Sequence, residues 1–228
     1  MKIAEIYRST QGEGLLTGIP SVFVRTSGCN LRCWYCDSPY TSWHPEGRDL
    51  SIDEIVAQIE EWSPQHVVLT GGEPMLFAEL IPLCERLRQL GRHITIETAG
   101  TLDLPVVCDL MSISPKLAGS APSRAEHPHW NRRHERTRYR PQVIRRLIAD
   151  YAYQLKFVID CREEFVELEQ YLAEFPEIDR GRVLLMPQGT DQVELDARAE
   201  WLREYCLDRG YVFCPRKQIE WFGSVRGT

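Results

Sequence analysis

The sequence predicts an α/β fold in which mostly parallel strands wind into a barrel or part of one. Three observations carry this. Short continuous apolar runs, the pattern of strands buried on both faces, alternate with segments of helical period. Each crossover of that kind gives parallel strands with right-handed connections. The strands end in polar, Gly-rich turns, which gathers chemistry on one face, as in barrels. With 228 residues, the chain suits one domain over 1–228, with 119–141 as an insertion or loop within it. That length buries roughly 70–75% of the unfolded surface, so the core needs no staples.

The elements follow in order. Residues 21–27 (SVFVRTS) form a buried strand, followed by the cysteine-rich loop GCNLRCWYCDS. In 51–62, Ser51 stands three residues before Glu54 as a capping box, and Ile52, Ile55, Val56 and Ile59 share a helical face. HVVLT (66–70) is a strand and GGEP (71–74) its turn; 76–90 is an amphipathic helix stopped at Gly91. HITIET (93–98) is the next strand, followed by a weaker one at 106–110 and a loop at 112–116. Residues 142–150 are helical, 153–159 (YQLKFVI) a strand, 163–174 a helix, 182–188 a strand, 191–209 a long helix and 211–213 a short last strand. The segment near the N-terminus that holds Thr10, Gln11, Gly12 and Glu13 shows no clear period. The segment 119–141 breaks the rhythm with six arginines and three histidines; it reads as a solvated loop, with a patch for an anionic partner or a site lid as the sharper alternative.

Composition bounds the function. Apolar residues make up 43% and charged ones 26%, which excludes global disorder. A net charge of −6 argues against a bulk nucleic-acid binder. The first eight residues hold no signal-peptide core and no apolar run reaches membrane-spanning length, so the expectation is a cytoplasmic chain with reduced thiols. Of eight cysteines, Cys84, Cys108, Cys161, Cys206 and Cys214 are scattered and read as small hydrophobes.

Cys29, Cys33 and Cys36 differ: C-x-x-x-C-x-x-C supplies three thiolates from one loop. A closed zinc site asks for four ligands, usually in paired knuckles, and no second knuckle exists. Three cysteines can instead hold three corners of a 4Fe–4S cluster and leave one iron open for a small molecule. Plain packing suits a Gly/Asn/Arg-rich loop poorly.

This loop, with an aromatic before its third cysteine and Gly71-Gly72-Glu73-Pro74 one strand-helix unit later, resembles the radical S-adenosylmethionine (SAM) superfamily. Within it, Thr10-Gln11-Gly12-Glu13-Gly14, Arg25–Leu31, Cys36-Asp37-Ser38, Glu97–Thr101, Ser114-Pro115-Lys116 and Phe222–Thr228 resemble the 7-carboxy-7-deazaguanine synthase family nearly end to end, with Ala99 where that pattern has Asn.

The resemblance implies a partial TIM-like barrel and a carbon–nitrogen lyase of the queuosine and 7-deazapurine pathway. The reaction converts 6-carboxy-5,6,7,8-tetrahydropterin to 7-carboxy-7-deazaguanine with loss of ammonia, and a 5′-deoxyadenosyl radical takes hydrogen from substrate C6. No side chain is catalytic, because SAM delivers the radical. Cys29, Cys33 and Cys36 are implied to hold the cluster. Tyr35, Cys36, Asp37, Gly72, Glu73, Glu97, Ser114, Pro115, Lys116, Met186, Pro187, Gln188 and Gly189 are implied to bind SAM. Thr10, Gln11, Gly12, Glu13, Arg25 and Thr70 are implied for substrate, with the planar fork of Arg25 suited to its carboxylate. Ser38 is implied for Mg²⁺, which is commonly held by few protein oxygens. Expected partners are the pterin, an electron donor such as a flavodoxin or ferredoxin, and a second copy in a homodimer; neither a membrane nor a nucleic acid is expected. A glycyl-radical-type activating enzyme of the same superfamily would share the cysteine loop but act on a protein. An electron-transfer iron–sulfur protein would leave GGEP and S-P-K unexplained.

Overall fold

The computed structural model describes residues 1–228. Nine strands form one sheet: β1 (Lys2–Thr10), β2 (Pro20–Thr26), β3 (Arg48–Asp49), β4 (His66–Gly71), β5 (His93–Thr98), β6 (Leu110–Ile113), β7 (Tyr153–Ile159), β8 (Val183–Pro187) and β9 (Val212–Phe213). Their spatial order is β3-β1-β2-β4-β5-β6-β7-β8-β9. From β2 through β9 every neighbouring pair is parallel, and only β1 runs antiparallel, to β2 and β3. The two edge strands are two residues each and are not paired to one another, so the barrel is open. Eight helices accompany it: α1 (Pro39–Ser42), α2 (Ile52–Glu60), α3 (Leu80–Gln89), α4 (Pro128–Arg138), α5 (Pro141–Asp150), α6 (Glu164–Ala173), α7 (Gln192–Arg209) and α8 (Lys217–Phe222).

Period-two alternation sorts each strand between two faces. Val22, Val24, Val67, Leu69, Ile94, Ile96, Met111, Ile113, Leu155, Phe157, Val183 and Leu185 join the main core with helix residues such as Ile55, Ile59, Leu83, Leu87, Ile144, Leu147, Leu168 and Leu202. The alternate residues Phe23, Arg25, Thr70, Glu97, Ser112, Lys156, Val158 and Met186 line the concave face instead. Helix α2 starts as expected, with Glu54 N–H donating to Ser51 Oγ and Ser51 N–H to the Glu54 carboxylate.

Three expectations need correction. The segment 106–110 is not a strand; β6 runs over Leu110–Ile113 and takes in residues read as a loop. Residues 2–10, given no period, form β1, whose one well-buried apolar side chain is Ile3 and whose partly buried Glu5 and Tyr7 face the cavity. Nor is 119–141 an irregular loop, since 128–138 is helix α4. Its period escaped notice because the inward positions carry Trp130 and His134 rather than aliphatics. His134 is 1% exposed; Nδ1 accepts from Arg32 N–H at 3.1 Å and Nε2 pairs with Ser120 Oγ at 2.9 Å.

Burial lowers the His134 pKa to about 4, below its ordinary 6.5. The unfolded chain therefore binds the extra proton first. The stabilisation is fully present above pH 6.5 and is lost as pH falls from 6.5 towards 4. At ~1.36 kcal/mol for each pH unit between those two values, the loss is about 3 kcal/mol. His134→Gln is expected to remove that slope from urea midpoints measured across the window; an unchanged slope would refute the assignment.

Candidate functional site

The C-terminal ends of the parallel strands, the cysteine loop and residues 223–228 enclose a cavity of about 550 Å³. Four acids (Glu5, Glu13, Asp37, Glu97) and five bases (Arg25, Lys116, Lys156, Arg216, Arg226) line it, together with Cys29, Cys33 and Cys36. This small excess of positive charge suits anionic ligands.

The cysteine loop leaves β2 at Gly28 and is pinned from below by the GGEP turn. Gly72 N–H donates to Thr26 O at 3.1 Å and Glu73 N–H to Gly28 O at 2.8 Å. A Cβ on Gly72 would lie 2.2 Å from Gly28 O and 3.0 Å from Cys29 Cβ; one on Gly71, at φ 137°, would lie 2.3 Å from Thr26 O. The glycines thus let this turn press against the cysteine loop. Gly72→Ala is expected to displace the loop, at a cost of about 1–3 kcal/mol. Reconstituted iron content should drop together with the melting temperature, and normal iron uptake would argue against this coupling.

The three thiols are free and partly exposed. Burial pushes Cys29 and Cys33 up to about 12, and Cys36 upward as well. Such sulfurs are neutral until a metal displaces their protons. No three His, Cys, Asp or Glu side chains are disposed to hold a single metal ion. Zinc at about 2.3 Å from each sulfur would draw the thiols together. A 4Fe–4S cube offers each cysteine a separate iron and needs no such convergence, so three separated thiols on one wall fit it.

Most residues singled out from sequence meet here. Thr10, Gln11, Gly12, Glu13, Arg25, Tyr35, Asp37, Ser38, Thr70, Gly72, Glu97, Ser114, Lys116, Met186, Gln188 and Gly189 all line the cavity. Three do not. Pro187 is buried at the end of β8, and Pro115 turns the chain between Ser114 and Lys116 behind the wall. Glu73, expected to meet the SAM amine, is 0% exposed. Its carboxylate accepts from Met75 N–H, Ala99 N–H and Thr98 Oγ1, bracing the turn after β5. Burial raises its pKa against the pull of these bonds.

Two networks organise the rest. Arg25 Nε donates to Glu5 Oε1 at 2.7 Å and Nη2 to Tyr7 OH at 2.8 Å, while Glu5 also accepts from Tyr40 OH and Arg226. The second network is centred on Glu13, which takes Lys156 Nζ at 2.6 Å, Arg216 Nε at 3.1 Å and the Gln218 amide. Lys156 and Arg216 hold the Glu13 carboxyl far below its usual range despite its burial. Lys156 also lies 3.4 Å from Glu97, which accepts from Thr70 Oγ1 at 2.8 Å. Arg216 ties Glu13 to Asp37 and to Gly189 O. At the cavity wall, Lys116 Nζ curls back onto Ser114 O and Oγ at 2.8 and 2.7 Å. Ser38 Oγ donates to Asp37 Oδ1 at 3.0 Å.

Sequence reasoning missed Glu5, Tyr7, Tyr40, Lys156, Arg216, Gln218 and the side chain of Arg226. One signal was available: a lysine at the centre of the apolar run YQLKFVI has no reason to be there unless the strand's second face is polar.

An open parallel barrel with a three-cysteine loop at its mouth defines a radical SAM enzyme, and the radical SAM superfamily pattern matches residues 23–117. Membership of that superfamily implies a 4Fe–4S cluster and SAM as cofactors. A 7-carboxy-7-deazaguanine synthase of Rhodopirellula baltica is 46% identical over 227 residues, covering 99% of this chain and 88% of the relative. One from Halobacterium salinarum is 44% identical over 238 residues, covering 100% and 93%. The chain belongs to the 7-carboxy-7-deazaguanine synthase family. The crystal structure of QueE from Escherichia coli shares the fold, with a TM-score of 0.69 at 23% identity over 95% of this chain and 93% of that one. No helix is long and apolar enough to cross a membrane.

Proposed function

We propose that this chain is a lyase that converts 6-carboxy-5,6,7,8-tetrahydropterin to 7-carboxy-7-deazaguanine and ammonia. The observation that carries the reading is the shared cavity: Cys29, Cys33 and Cys36 line the same space of about 550 Å³ as Arg25 and the polar groups of Thr10, Gln11 and Glu13. When bound, the reduced cluster and SAM supply a 5′-deoxyadenosyl radical that takes hydrogen from substrate C6.

The chain's own residues bind, orient and shield. Cys29, Cys33 and Cys36 would hold three irons. The backbone of Tyr35, Cys36 and Asp37, together with Gly72, Ser114, Lys116, Met186, Gln188 and Gly189, would frame SAM. Glu97 would reach its ribose while remaining anchored by Thr70. Arg25 would take the substrate carboxylate: Glu5 and Tyr7 fix its plane and leave Nη1 without a protein partner. Gln11 donates its amide N–H to Ser21 Oγ at 2.9 Å, which turns its carbonyl into an acceptor for a pterin N–H. Glu13, charged and oriented by Lys156 and Arg216, would accept from the guanidine-like edge, and Thr10, Gly12 and Thr70 would complete the wall. Ser38, beside Asp37, would give one oxygen to Mg²⁺, with substrate oxygens and water completing the shell. Enclosure by residues 223–228 would keep water from the reacting carbon. A separate one-electron donor and a homodimer belong to the same reading.

The test is an anaerobic reaction of the reconstituted protein with reductant, SAM, Mg²⁺ and 6-carboxy-tetrahydropterin, followed by ultraviolet absorbance and mass. Deazaguanine and ammonia should form, and Arg25→Ala should lose both. Formation of 5′-deoxyadenosine without deazaguanine would sink the substrate assignment and spare the radical chemistry.

A further inference from the structure

The proposed reaction gives the Arg-rich segment 119–141 no part, yet that segment is built onto the outside of the cysteine loop. Its inner face grips Arg32, whose guanidinium lies 4.1 Å from the Trp130 ring centre and whose Nη1 donates to Cys29 O and Leu31 O at 2.7 and 2.6 Å. His134 holds the Arg32 backbone N–H. Trp34 N–H donates to Ser120 O at 3.1 Å and its Nε1 to Gly119 O at 2.8 Å. Trp43 packs on His127 at 4.9 Å and donates from Nε1 to Cys33 O at 3.0 Å. The segment therefore touches the residues on both sides of Cys33.

The outer face is of another kind. Arg132 and Arg136 lie on the side of α4 away from His134, and the Arg133 guanidinium lies 5.2 Å from the Trp130 ring centre. Arg124 stands before the helix and Arg140 after it. All five are exposed, and none is in a salt bridge. The segment has six arginines against two glutamates in a chain whose net charge is −6. Of those glutamates, Glu135 is already paired with Arg138. Trp34, bonded to Gly119 and Ser120 at the start of the segment, stands 50% exposed. Exposed arginines without acidic partners, on a segment packed against the cysteine loop, have the composition of a docking surface: such charges steer the approach of an acidic partner.

We propose that this face receives the electron donor, a small acidic redox protein, and holds it against the cysteine loop. The step is a single electron transfer: the donor is oxidised by one electron, and the cluster at Cys29, Cys33 and Cys36 is reduced by one. The inference rests on the proposed cluster site. Its specific content is the place of docking and the charge that directs it. An RNA phosphate backbone would meet the same arginines, but it neither uses the proximity to the cysteines nor supplies an electron.

The experiment uses the full cluster-loaded chain and a flavodoxin of strongly negative net charge. Binding is titrated anaerobically at low salt and at about 0.3 M NaCl, where exposed charges more than ~6 Å apart are screened. The triple variant Arg132→Glu/Arg133→Glu/Arg136→Glu is compared with the triple glutamine variant. We expect the glutamate variant to raise the flavodoxin Kd by about tenfold or more at low salt, and the glutamine variant to fall between it and the parent. The difference should shrink at high salt. Reduction by dithionite, followed by the electron paramagnetic signal of the cluster, should be the same in all three. Equal flavodoxin binding by parent and variants overturns the proposal. So does a parent that binds a short RNA duplex at this face but no flavodoxin, or variants whose sedimentation shows that the face joins two copies of the chain. A parent that assembles no cluster would instead sink the cluster assignment, so the two failures are distinguishable.

Discussion

Replacing Cys33 with alanine is expected to abolish turnover and leave the fold nearly unchanged. Cys33 Sγ makes no hydrogen bond to the protein; the bonds of this residue run through its backbone carbonyl, which accepts from Trp43 Nε1 and from Cys36 N–H. Burial keeps the thiol neutral, with its pKa pushed up to about 12, so its removal strands no charge. The loss of one sulfur from a partly exposed position costs about 1 kcal/mol or less. A cluster that needs three protein thiolates would lose one of them, and with it iron retention. Cys206 is the control: it is 2% exposed, lies in the main core and faces no cavity. Cys206→Ala should cost about 1–2 kcal/mol through the void it leaves and keep full iron content. Iron per chain and thermal melting separate the two variants: one loses metal and keeps stability, the other the reverse. Retained iron and turnover in Cys33→Ala would sink the assignment of this loop.

These opposite fates show what could be read from the residues. Cysteines bunched in a polar loop signal chemistry, and cysteines spaced through helical or strand periods signal packing. Residues at strand ends, such as Arg25, Thr70, Glu97 and Ser114, were also legible, because polar groups following an apolar run on a parallel strand gather at one face. The misses share a cause. Treating each parallel strand as apolar on both faces hides the concave side of a barrel, so Lys156 and Tyr7 escaped although the alternation in YQLKFVI encodes the first. The place of the Glu73 side chain was illegible for the converse reason. Its position in GGEP puts it in the turn beside the cysteine loop, but whether the carboxylate faces outward or braces a neighbouring turn depends on Thr98 and Ala99, 25 and 26 residues away. Arg216 and Gln218 reach Glu13 across more than 200 residues of sequence, which no local pattern records. Helix α4 hid its period behind a histidine and a tryptophan used as core.

Lys156 carries the largest stability effect expected of any single side chain at the site. It is 5% exposed on the concave face of β7 and sits between Glu13 at 2.6 Å and Glu97 at 3.4 Å. Its own pKa is raised despite a burial that pushes the other way, because the two carboxylates favour its charge. Lys156→Met keeps the stem and deletes the ammonium. Glu13 is then left with Arg216 and Gln218, and Glu97 with Thr70 alone. Breaking a buried pair by removing one partner costs about 3–5 kcal/mol, because a charge remains uncompensated. Glu97 keeps partial access to solvent and Glu13 a second cation, which puts the expected cost at the lower end, about 3 kcal/mol. For a chain of this size that lowers the melting temperature by about 6–12 °C. Adding Glu97→Gln removes the orphaned carboxylate, so the double variant should recover part of the loss, with an interaction of about 1–2 kcal/mol between the sites. If the single variant melts like the parent, Lys156 is no electrostatic keystone. If the double variant melts as low as the single one, Glu13 rather than Glu97 is the group that Lys156 compensates. Activity should fall in both variants, since the ammonium orients two carboxylates assigned to opposite ligands, Glu13 to the pterin and Glu97 to the SAM ribose.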